Sequence, residues 1–208
     1  MLYYGCMVNT VGSLTQLQRS VIIGTLLGDG HLRTFPGRRN ALLEINHSFH
    51  QKEYVDWKYS TLANVSASPP KMRNSNKGRV AYRFHSKQLF ELTEFYELFY
   101  GNGKKAIPDG VALDPIMLAV WYMDDGSKCG KDNYYFNTQQ YSLSDQERLK
   151  AMLQGVGLES RLNKDKTYWR LRLLSASIPR FKEIVLPHII PSMLYKLGYN
   201  PVETLLQI

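Results

Sequence analysis

The 208-residue chain has only two cysteines, Cys6 and Cys129, too few and too far apart for a zinc site. A reduced, intracellular protein is the simplest reading. No apolar stretch is long enough to cross a bilayer, and no basic amphipathic helix lies beside one, which argues against a membrane partner. The first residues, MLYYGCMVNTVGS, lack the basic start and continuous apolar core of a secretory signal. Acid is the scarcer charge: 18 Asp and Glu stand against 26 Lys and Arg, a net charge of +8. That excess points to a polyanionic partner. His31, His47, His50, His85 and His188 show no metal-ligand spacing, and none is assigned as a general base. LLGDG is glycine-rich, but no Gly-Lys-Ser/Thr follows it, so no phosphate loop is read there.

What the chain does have is an ordinary globular composition, 44% hydrophobic and 21% charged, enough for a real core. It also has an order of elements that occurs twice. Ser13 or Thr15 can cap a helix running LQRSVIIGTLLGDG. Asp114, with Pro115 at the first helical position, can cap a second helix running IMLAVWYMDDG. Both helices are nearly all apolar in their second half, which predicts that they are buried. After each come two strands, a helix, a hairpin and another helix. The pattern predicts an α+β fold of two αββαββα halves: an N-terminal extension over 1–13, a first half over 14–110 and a second over 111–208. Asn76-Lys77-Gly78 marks the turn of one hairpin and Asp165-Lys166 that of the other. Ser144 with Glu147 reads as a capping box at the start of LSDQERLKAMLQGVG.

Both buried helices end in Asp-Gly, at Asp29-Gly30 and Asp125-Gly126. A helix C-terminus carries partial negative charge, so an acid there is disfavoured by about 0.3–1 kcal/mol. If the helices pack side by side about a pseudo-twofold axis, two carboxylates and two negative helix ends converge. A cation relieves that repulsion, and Mg2+ suits a site of oxygen ligands and water. Two such ions would make a phosphodiester-cleaving centre. Gly24 and Gly28 give the first helix a face for close packing. The second offers Ala119, with Val120 and Asp124 at the positions matching the two glycines. Asp124 either contributes only its carbonyl or faces solvent.

The stretches IIGTLLGDG (Ile22 to Gly30) and LAVWYMDDG (Leu118 to Gly126) resemble the paired motifs of single-chain LAGLIDADG homing endonucleases. The resemblance runs from about Leu14 through nearly the whole chain. It implies a monomeric, site-specific endonuclease that makes double-strand breaks in a long, asymmetric DNA duplex and leaves short 3′ overhangs. It implies two or more divalent ions, Mg2+ with Mn2+ able to substitute, bound by Asp29 and Asp125 with the carbonyls of Gly28 and Asp124. It implies catalytic lysines near the end of each half, matched here by Lys105 and Lys196, with Lys104 a rival to Lys105. An intron RNA maturase and a non-catalytic DNA-binding regulator are the alternatives. Without flanking splicing domains, a free-standing or intron-encoded enzyme is expected, in a prokaryotic cytoplasm or an organelle carrying the intron.

In this reading each half presents a twisted antiparallel sheet, and the two form a saddle for DNA. Strand alternation selects Arg33, Arg38, Arg39, Glu44, Asn46, Ser48, Arg73, Arg79, Arg83 and His85 in the first half. In the second it selects Lys128, Lys131, Asn137, Gln139, Arg161, Asn163, Lys166, Arg170 and Arg172. Arg can pair with guanine, Asn and Gln with adenine, and loop cations with phosphates. His47, on the opposite face of its strand from Glu44, Asn46 and Ser48, is expected in the core.

Overall fold

The computed structural model describes residues 10–11, 14–74, 78–101 and 103–199. Most of the expected 1–13 extension, and Asn76-Lys77 of the expected turn, lie outside them. A two-residue ladder, not foreseen in the sequence, pairs β1 (Thr10–Val11) with β2 (Leu14–Thr15). Thr15 then caps α1 (Gln16–Leu27): its hydroxyl accepts from the Gln18 N–H, while the Gln18 side chain accepts from the Thr15 N–H. The first half continues with β3 (His31–Arg33), β4 (Leu42–Ser48), α2 (Lys52–Thr61), β5 (Lys71–Asn74), β6 (Val80–His85) and α3 (Phe90–Tyr100).

The second half repeats this succession. Its elements are α4 (Pro115–Asp125), β7 (Gly126–Cys129), β8 (Asn133–Phe136), α5 (Leu143–Gly155), β9 (Ser160–Asp165), β10 (Tyr168–Leu173) and α6 (Ile178–Val185). Asp114 caps α4 by accepting from the Met117 N–H, with Pro115 inside the first turn. The cap of α5 corrects the sequence reading. It is Ser142, not Ser144: the Ser142 hydroxyl accepts from the Asp145 N–H and donates to the Asp145 carboxylate. Asp145 also accepts from the Ile107 N–H, which ties the helix start to the end of the first half.

Each half builds a four-stranded antiparallel sheet with equivalent strand orders, β3-β4-β6-β5 and β7-β8-β10-β9. One face of each sheet is covered. Leu32, Leu43, Ile45 and Phe84 are buried in the first half with Tyr54, Val55, Leu92 and Phe99. The second half gathers rings: Tyr122, Tyr134, Phe136 and Phe181 pack edge-on or tilted, and Trp121 lies 4.1 Å from Phe136 between centroids. Burying each such side chain contributes roughly 1.5–3 kcal/mol.

The halves meet through α1 and α4. A Cβ on Gly24 would lie 2.6 Å from the Met117 carbonyl oxygen and 2.8 Å from the Val120 Cβ. One on Gly28 would lie 2.4 Å from the Asp124 Cβ. Contacts advance in the same direction on both helices, so they run parallel and their C-termini lie together. The larger residues of α4 thus sit in notches left by the glycines of α1. Ala119 is fully buried, but the atoms nearest those glycines belong to Met117, Val120 and Asp124.

Candidate active site

The two Asp-Gly corners are alike in kind and unlike in detail. Helix α1 stops at Leu27, so Asp29 lies beyond its end; α4 runs through Asp125. Neither following glycine has a positive φ. Each is needed because the chain doubles back on its own helix. A Cβ on Gly30 would lie 2.3 Å from Thr25 Cγ2, and one on Gly126 would lie 2.3 Å from the Tyr122 carbonyl oxygen. Sheet strands β3 and β7 start directly after these corners, so both sheets leave from the same end of the helix pair.

Two lysines close on the corners in matching ways. Lys105 Nζ donates to the carbonyls of Gly28, at 2.7 Å, and Gly30, at 2.9 Å. Lys196 Nζ donates to the carbonyl of Asp124 at 2.6 Å. Each therefore caps the carbonyl just before one of the two acids. Lys104, the sequence rival, is exposed. Gln140 Nε2 reaches Asp125 Oδ2 at 3.3 Å, a contact with no signal in the sequence.

Asp124 is neither solvent-facing nor present for its carbonyl alone. Its side chain is fully buried, with Oδ1 accepting from Lys58 Nζ at 2.7 Å and from the Tyr54 hydroxyl at 2.8 Å. Its Oδ2 accepts from the Asp29 N–H at 3.3 Å. His47, buried as expected, sits beside this pair. Its Nε2 is 3.3 Å from Lys58 Nζ, and its Nδ1 is 3.7 Å from Asp29 Oδ2. Lys58 was missed from sequence, although it occupies a core-facing place one turn after Tyr54 on α2, where a lysine is out of character.

The charges at this end act on one another. Burial, then the neighbouring Asp29 and Asp124, pushes the Asp125 carboxyl up to about 7. Burial and Asp124 also raise Asp29. Burial alone would raise Asp124, but the Lys58 ammonium and His47, with the hydrogen bonds from Lys58 and Tyr54, hold it below the usual carboxylate range. Burial brings Lys105 down to about 8 and lowers Lys196. Burial, reinforced by the Lys58 charge, lowers His47 to about 4, so its ring is neutral at pH 7.

Among the described residues no group of three or more His, Cys, Asp and Glu forms a protein-only metal cage. The converging donors are instead hard oxygens: two carboxylates, Asp29 and Asp125, and the two carbonyls before them. Such a set suits a cation that keeps several waters.

The sheet faces away from the helices carry most of the sequence-selected polar side chains. In the first half, pairing of Glu44 with His85, Asn46 with Arg83 and Arg73 with Ala81 puts Glu44, Asn46, Ser48, Arg73, Arg83 and His85 on one face. Arg33 joins them, bound to Glu44 at 2.8 Å. His31 and Lys71 share that face and were not selected. Arg38, Arg39 and Arg79 stand on exposed loop or turn positions. In the second half Arg161, Asn163, Arg170 and Arg172 lie on the open face, and Asn137, just past β8, accepts from Arg170. Arg170 lies 4.0 Å over the Tyr135 ring, and Gln139 donates to Asp165 at 3.1 Å. Lys131 and Lys166 are exposed at turns, and Lys166 has a left-handed φ of 56°.

Lys128 is a correction. Register pairs it with the buried Tyr134, which places it on the covered face, against Gly198, with its ammonium on the Gly130 carbonyl. Ser127, paired with Tyr135, takes the open-face position.

The model of the LAGLIDADG DNA endonuclease family matches residues 19–181, more than half of the chain. A cytochrome b mRNA maturase bI2 of Saccharomyces cerevisiae is 32% identical across 92% of this chain and 50% of its own length. The Debaryomyces hansenii protein of the same name is 30% identical, covering 86% of this chain and 72% of that protein. A RecA protein of Mycobacterium gastri is 34% identical across 88% of this chain and 48% of its own length. The chain thus spans about half the length of the first and third of these relatives. The homing endonuclease I-WcaI bound to its DNA recognition sequence superposes with a TM-score of 0.83 at 24% identity, over 91% of this chain and 89% of that one. The match of the family's model to most of the chain shows that the chain belongs to the LAGLIDADG DNA endonuclease family.

Proposed function

We propose that the chain is a site-specific homing endonuclease that hydrolyses both strands of a long, asymmetric DNA duplex and leaves short 3′ overhangs. The observation that carries this reading is the pair of acids at parallel helix ends, each with its own lysine on the preceding carbonyl. The halves 14–110 and 111–208 serve one strand each, so one copy of the chain suffices. Asp29 and Asp125, with the carbonyls of Gly28 and Asp124, would hold divalent cations, Mg2+ first and Mn2+ in its place. When bound, such cations supply Lewis-acid charge and a water of lowered pKa. Lys105 and Lys196 bring positive charge beside the acids, where it orients the attacking water and balances charge on the scissile phosphate. Sheet arginines hold phosphates or guanines, and Asn46 and Asn137 stand where base edges can be read. The expected setting is intracellular, in a prokaryote or an organelle that carries the host intron.

The test is cleavage of a pool of long random duplexes in Mg2+, Mn2+ or Ca2+, with sequencing of the ends. Discrete double-strand ends in Mg2+, lost or reduced to nicks in Asp29→Asn and Asp125→Asn, support the reading. Duplex binding with no cleavage in any metal would point to a regulator. Identity to two proteins named as mRNA maturases favours a second role, assistance of intron splicing. Binding to structured intron RNA that survives both Asp→Asn changes would support it.

A further inference from the structure

We propose that the side chain of Asp124 positions the backbone of Asp29, while Lys58 and Tyr54 satisfy its other oxygen. The proposal rests on the endonuclease reading for its purpose and on geometry for its substance. Asp124 belongs to α4, whereas Asp29, Lys58 and Tyr54 belong to the other half. One carboxylate thus ties the two halves together at the cleavage end of the helix pair. Oδ1 takes the lysine and the tyrosine; Oδ2 takes the Asp29 N–H.

The alternative is that Lys58 and Asp124 form a structural pair with no bearing on the site. Two features speak against it. A buried ion pair is a poor source of stability, since a well-packed apolar pair of similar size often does as well or better. And the free oxygen of Asp124 is spent on the one backbone N–H that sets where the Asp29 carboxylate stands. His47 adds a second path from the same lysine. Its Nε2 faces Lys58, leaving the Nδ1 edge toward the Asp29 carboxylate. Among the described residues no carboxylate from the other half holds the Asp125 backbone in the same way, because the position on α1 that matches Asp124 is Gly28. The device therefore acts on one of the two cleavage centres. Groups that orient a metal ligand typically change metal affinity by 10–100-fold when removed.

Two double variants separate positioning from packing. Lys58→Met with Asp124→Asn removes both buried charges but keeps an oxygen for the Asp29 N–H. Lys58→Met with Asp124→Ala removes the oxygen as well. Metal binding is read from the rise in unfolding temperature with Mg2+ and Ca2+, and cleavage from strand-resolved nicking. The asparagine pair should stay within about 3-fold of the parent in metal midpoint. The alanine pair should need at least about 10-fold more metal, and should nick one strand before the other. Equal metal midpoints and equal strand ratios in the two variants would overturn the proposal. If the alanine pair does not fold, Lys58→Met with Asp124→Leu fills the space and is judged by the same criteria. If the parent cuts no duplex, the endonuclease reading fails, while the metal midpoints still decide on positioning.

Discussion

The two halves share strand order, helix order and an Asp-Gly corner, yet they hold their acids differently. In the first half Asp29 lies past the end of its helix and is half exposed, tied to a buried network of Lys58, Tyr54, His47 and Asp124. In the second half Asp125 is the last residue of its helix and touches only Gln140 through its side chain, among the bonds described. The cause is a single asymmetry in packing. Where α1 has Gly28, α4 has Asp124, and the notch left by one glycine is filled by one carboxylate. A twofold plan can therefore be kept in the backbone while the chemistry at its two ends diverges.

The largest expected effect comes from stranding the charge on which that difference rests. Lys58→Met leaves Asp124 buried without its cation, a loss of about 3–5 kcal/mol. Thermal unfolding should show a large drop in Tm, largely restored by adding Asp124→Asn. An unchanged Tm would mean that the pair is not buried as described. Next is the helix interface. Gly24→Ala drives a Cβ into the Met117 backbone, which cannot swing aside, and should cost about 1–3 kcal/mol in denaturant unfolding. Gly155→Ala, on α5 with open space around it, serves as the control.

The third effect has the opposite sign. Asp125 has a folded pKa raised to about 7, by burial and by Asp29 and Asp124. Above the ordinary carboxylate value of about 4, the unfolded chain loses the proton first, so folding is disfavoured progressively as pH rises toward 7. Asp125→Asn should therefore raise the Tm of metal-free protein at pH 7, with a gap that closes toward pH 4. A gap independent of pH would show that the Asp125 carboxyl is not raised in the folded protein.

Much of this was readable in advance because it depends on local pattern. The cap at Asp114, the first cap at one of Ser13 and Thr15, the two apolar helices and the alternation along β4 each follow from neighbours in sequence. The cap of α5 did not: Asp145, which Ser142 caps, also takes the N–H of Ile107, far from it in sequence. Lys128 went to the wrong face because a one-residue error of alternation moves a side chain to the other side of the sheet. Lys58 was invisible, since its partner lies on a helix in the other half.

The sequence by itself determined the doubled αββαββα order, the basic charge and the two acids at helix ends, since periodicity, capping and composition are properties of short segments. The tertiary structure decided which lysines reach the carbonyls beside those acids, which oxygen of Asp124 faces which donor, and that the two corners are unequal. Those depend on contacts between residues far apart in the chain, where a shift of a few ångströms separates a surface charge from a group at the centre of the site.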